Sequence, residues 1–85
     1  MKVHGIIDKM EAQVGKLREK LEALEVRIEQ RENTFNDRSE KWQESEKGDE
    51  WNEKTSELED QQLEFETAIE EIEGSLETIR NLFED

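Results

Sequence analysis

Apolar residues recur in this chain at alternating steps of four and three, and that spacing restricts it to helices that must find a partner. The first ladder runs Val3, Ile7, Met10, Val14, Leu17, Leu21, Leu24 and Ile28, then continues through Arg31, Phe35 and Arg38 to Trp42. The second runs Trp51, Thr55, Leu58, Gln62, Phe65, Ile69, Ile72, Leu76, Ile79 and Phe83, and Gly48 stands between the two. Such spacing makes a stripe down one side of a helix, and a lone stripe has to be buried against another. The expected fold is all-α: a two-helix antiparallel coiled-coil hairpin forming a single unit over residues 1–85. Helix one is expected at about 3–46, the turn at about 46–49 and helix two at about 50–84.

Only 31% of the residues are hydrophobic and 44% are charged, a balance that suits disorder unless the apolar residues are in register. Here they are in register, proline is absent, and Glu, Leu, Lys, Gln and Arg favour helix. A hairpin of 85 residues has one seam and no enclosed layer, so self-association into a helical bundle is expected. Cysteine is absent, which removes disulfides and thiolate metal sites. No apolar run is long enough for a membrane span or a signal peptide, so the expected location is the cytoplasm.

The net charge of −13 is unevenly placed. Residues 1–48 hold ten Lys or Arg against eleven Asp or Glu, a balance of −1; residues 49–85 hold two against fourteen, a balance of −12. An acidic helix repels phosphates, which disfavours direct nucleic-acid binding, and it attracts basic protein surfaces. Glu57, Glu64 and Glu71 share one side of helix two at heptad spacing and are the candidate partner-binding face. A purely solubilising role for the same charges stands beside that reading.

Glycine after a helix accepts the left-handed conformation that ends it, and Asp49 suits the N-cap of the next one, so the bend is expected near Ser45 to Asp49. Folding there sets Trp42 near Thr55, Ile28 near Ile69, Leu21 near Leu76 and Val14 near Phe83. Residues 1 to about 11 then face nothing, and Val3, Ile6, Ile7 and Met10 become candidate oligomer contacts. The alternative is a break at Gly5 or Gly15 that folds this segment back. In the same register Arg31 faces Glu66 and Arg38 faces Glu59, as ion pairs that fix register or as stems covering the seam. Glu25 and Glu32 face Glu73 and Glu66, a repulsive flank. Ala12, Gly15, Ala23 and Val26 form a weak second apolar stripe on helix one, and Ala68, Ser75 and Leu82 flank the main seam of helix two as a small, uncharged strip; a four-helix bundle of two hairpins would use these surfaces, and a chance scatter of alanines is the alternative.

Catalytic chemistry finds no support. His4 is the single histidine, without a nucleophile or metal-ligand constellation near it, and there is no Gly-rich phosphate loop or calcium-loop spacing. No enzyme activity, metal or cofactor is expected. The turn is more site-like: Trp42 and Trp51 bracket it, with Arg38, Lys41, Lys47 and Lys54 close by. Aromatic faces with cations can hold a planar anion such as a nucleotide or anchor a protein, and equally the two indoles can plug the end of the core.

The stretch from Phe35 to Glu59, FNDRSEKWQESEKGDEWNEKTSELE, resembles a segment of small acidic helical proteins encoded by bacteriophages and related mobile elements. The resemblance covers about a third of the chain. It implies an accessory protein that binds and inhibits a host factor such as a defence protein, or sequesters a host signal, in the host cytoplasm. It carries no functional residue with it. The expected function is occlusion of a host protein through the acidic helical surface; the alternatives are a scaffold whose only activity is assembly, and a nucleotide sponge acting at the tips.

Overall fold

The computed structural model describes residues 3–83, all of them in helices or the short connections between them. Helix α1 spans Val3–Asp37, a short helix α2 spans Glu40–Gln43, and α3 spans Glu46–Leu82. The sequence-based end of helix two at residue 84 lies outside the described residues. Helix α1 passes through Gly5 and Gly15 without a break, so the segment does not fold back.

Helix α3 returns along α1. Arg80 reaches Asp8 and Glu11, Arg18 reaches Glu73, Gln62 reaches Glu25 and Arg31 reaches Thr55, a descending order that makes the pair antiparallel. The result is a rod of 65 × 15 × 12 Å. Ile7, Val14 and Leu21 of α1 form one buried cluster with Ile69 and Leu76 of α3, with Val3 and Phe65 packed against it. Nearer the bend, Ile28, Leu58 and Thr55 are also buried. The buried positions of α1 recur every seven residues, as the ladder requires of a seam between two helices.

The bend falls earlier than glycine suggested. Helix α1 stops at Asp37, and the Gln43 side-chain amide donates to the carbonyls of Phe35 at 2.9 Å and Arg38 at 3.0 Å, taking up acceptors that a helix end leaves free. Two serines then start new helices. The Ser39 hydroxyl accepts from Trp42 N at 3.3 Å, and the Ser45 hydroxyl accepts from Gly48 N at 3.3 Å, each as an N-cap. Asp49 is not the cap; it sits in the first turn of α3, where an acid suits the positive end of the helix dipole.

Gly48 therefore lies in the first turn of α3 and does not terminate α1. No described residue has positive φ, and the need for glycine is space: a Cβ at position 48 would come within 2.6 Å of the Trp42 carbonyl oxygen and closer still to that of Gln43. The earlier bend shifts the pairing by more than a helical turn. Arg31 does not face Glu66, nor Arg38 Glu59. The segment 3–11 is covered in part: Ile7 is 1% exposed, Val3 packs on the core cluster, and Asp8 and Glu11 bind Arg80, while Ile6 and Met10 stay exposed.

Candidate interaction surfaces

The tip is built by the short helix. Trp42 in α2 and Trp51 in the second turn of α3 meet edge to face at 6.1 Å between centroids, and Phe35 closes on Trp42 at 5.9 Å. Arg31 lies 4.0 Å over the Trp51 ring, donates to Thr55 Oγ1 at 3.0 Å and to the Trp51 carbonyl at 3.1 Å, while the Trp51 indole donates back to the Arg31 carbonyl at 3.0 Å. This reciprocal clamp satisfies a cation in the seam with a ring face and neutral oxygens, without a carboxylate. Arg38 stacks in the same way on Trp42, at 4.4 Å.

Of the residues proposed for the tip, Arg38, Lys41, Trp42 and Lys47 come together, the last three lining a shallow hollow with Ser39, Ser45 and Glu46. Trp51 lies behind them, packed on Trp42. Lys54 turns away and pairs with Glu57 at 3.7 Å. Each indole thus has a face covered by one of the chain's own arginines, an arrangement that closes the end of the core and leaves less ring for an incoming base. Phe35, Gln43 and the two capping serines complete this corner. The repeated Ser-Glu pairs at 39–40 and 45–46 are the sequence signal that marks the two helix starts.

The long sides of the rod differ. On one, charged side chains cross the seam: Arg18 to Glu73, and Arg80 to Asp8 at 2.6 Å and Glu11 at 3.2 Å. Closer to the tip the same side carries Glu25, Glu32, Glu59 and Glu66. There Gln62 donates to Glu25 at 3.4 Å. Hydrogen bonding to Glu32, partial desolvation and the nearby negative charge of Glu32 and Asp60 hold Glu59 above the usual glutamate range. Arg18 and Arg80 are pushed upward by their hydrogen bonds to carboxylates and stay cationic.

The opposite side is apolar. Met10 lies beside Ile72, Ile79, Ala68 and Ser75 in an open groove, with Met10 47%, Leu17 37%, Ile72 39% and Ile79 38% exposed. Among the proposed oligomer contacts, Met10 and Ile6 are exposed, Ile7 is buried in the seam and Val3 packs on the core cluster. Glu57, Glu64 and Glu71 are all exposed along α3, and Glu71 borders the apolar groove. Among the described residues no group of three metal-ligating side chains converges, and no helix is long and apolar enough to cross a membrane. Comparison with protein-family models, curated proteins and solved structures finds no match in any of the three.

Proposed function

We propose that this chain is a non-enzymatic binding protein of the accessory kind that phages encode, an antiparallel coiled-coil hairpin that works as a helical-bundle oligomer. Its acidic side occludes a basic surface on a host protein in the cytoplasm, without direct contact to nucleic acid. The observation that carries this reading is the set of exposed acids on α3, Glu57, Glu59, Glu64 and Glu71, in a half of the chain whose charge balances to −12. Hydrogen bonding to Glu32 and that group's negative charge hold Glu59 above its usual range, and acids crowded in this way gain from an external cation. Glu25 and Glu66 extend the crowding along the rod. The partner surface then comprises these crossing acids together with the exposed Glu57, Glu64 and Glu71 row. The phage assignment is supported only by the resemblance of residues 35–59.

The test is affinity capture from a host lysate with the wild-type chain and with Glu32→Lys/Glu59→Lys. A protein that the wild type retains at low salt, releases as salt rises and loses in the variant supports the reading, because exposed charges are screened beyond about 8–10 Å at physiological ionic strength. Retention indifferent to both salt and charge reversal overturns it. The scaffold alternative keeps one observation in its favour, the apolar groove beside Met10, Ile72 and Ile79.

A further inference from the structure

The two sides of the seam are covered unequally. Moving outward from the most buried rows, Ile7, Val14 and Leu21 on α1 and Ile69 and Leu76 on α3, one side meets the ion pairs of Arg18 and Arg80. The other meets Met10 and Leu17, and Ile72 and Ile79, each left more than a third exposed. Apolar side chains at seam positions on both helices, on one side only, belong to a layer that expects a second layer.

The rims of this open side identify the layer. Beyond Leu17 and Leu24, the next row out on α1 holds Lys20 and Arg27, both exposed and without an ion pair among the described residues. Beyond Ile72 and Ala68, the outer row on α3 holds Glu64 and Glu71, exposed and equally unpaired. One helix thus offers a basic rim and the other an acidic one, so the face complements itself.

We infer that the open side is the interface with a second copy of this chain, related by a two-fold axis running parallel to the helices. This rests on the reading of the chain as self-associating and adds the face and the symmetry. Rotation about that axis sets α1 of one copy against α3 of the other. Because Arg18 is level with Glu73, the same register brings Lys20 level with the second copy's Glu71 and Arg27 level with its Glu64. A two-fold axis crossing the helices sets α1 against α1 and α3 against α3, with Lys20 and Arg27 facing their own kind and the glutamates facing glutamates; that arrangement is repulsive on both rims. The favoured axis puts both tips at the same end of a four-helix bundle.

The experiment is a charge exchange read by light scattering at micromolar concentration, with helicity followed by circular dichroism. The wild type is expected at the mass of two chains. Lys20→Glu/Arg27→Glu and Glu64→Lys/Glu71→Lys, each alone, weaken association by roughly tenfold or more. An equimolar mixture of the two regains the two-chain mass, since each supplies the rim the other lacks. Because the chain has no cysteine, Glu44→Cys at the exposed bend adds a second readout: a short bismaleimide joins two tips that share one end, and cannot join tips held at opposite ends of a 65 Å rod. Single-chain mass for the wild type overturns both self-association and this face. A two-chain mass indifferent to the charge exchange, or tips that do not cross-link, overturns the face and axis alone.

Discussion

Two glycines in one helix make opposite predictions. Gly48 is buried, and a methyl group there collides with the backbone of Trp42 and Gln43, atoms that cannot swing aside. Gly74 sits in the same helix with nothing within 4 Å of its would-be Cβ. Gly48→Ala is expected to lower stability by about 1–3 kcal/mol through overpacking, and Gly74→Ala to raise it by roughly 0.5–1 kcal/mol through helix propensity. Thermal melts of the two variants beside the wild type check both signs; equal effects would remove steric closeness as the reason for Gly48.

Glu59 gives a pH dependence at the same scale. A carboxyl held above its ordinary range by a neighbouring acid takes up a proton more readily in the folded chain than in the unfolded one. Its stabilising share is therefore complete at low pH and is lost as pH rises through the folded-state value. Glu59→Gln supplies the neutral hydrogen-bonding partner permanently. The variant is expected to melt above the wild type at about pH 7 and to converge with it near about pH 4. A gap that stays constant across that range would mean that Glu32 and Glu59 do not share a proton.

At the scale of elements, the seam positions are legible from periodicity, while the bend follows from side-chain capping. The every-seventh burial of Ile7, Val14, Leu21 and Ile28 is written in the ladder. The end of α1 is not, because the ladder runs on through Phe35 and Arg38 to Trp42 without an apolar fault. What stops α1 is a polar device of three residues: Gln43 folding back onto the last carbonyls, with Ser39 and Ser45 restarting the chain. Glycine was the louder signal, and its role here is spatial. Once the bend moves, every cross-helix pair moves with it, which is why Arg31 meets Trp51 in place of Glu66. The cation–ring stacking at the tip was foreshadowed only by the presence of those residue types, since sequence spacing cannot say which arginine covers which indole. Gln43→Ala is expected to cost about 1 kcal/mol, the net worth of a hydrogen bond whose acceptors then turn to water, and to lower the melting temperature by roughly 4–8 °C. An unchanged melt would show that the α1 terminus needs no side-chain cap.

For the whole molecule, the exposed groove and the thin cross-section point the same way. A rod 15 × 12 Å across has a seam but no interior, and its half-exposed Met10, Leu17, Ile72 and Ile79 contribute little until something covers them. If a second copy does so, folding and association are one equilibrium, and stability depends on how much chain is present. A tenfold rise in concentration then adds about 1.4 kcal/mol to the folded two-chain assembly. For a unit of that combined size, this raises the melting temperature by roughly 3–6 °C. The shift should vanish in Lys20→Glu/Arg27→Glu and return when that variant is mixed with Glu64→Lys/Glu71→Lys, because only the mixture restores unlike rims on facing helices. Melts that superimpose over a hundredfold range of wild-type concentration would mean that the helix pair stands alone, and that the apolar groove is kept open for a different protein.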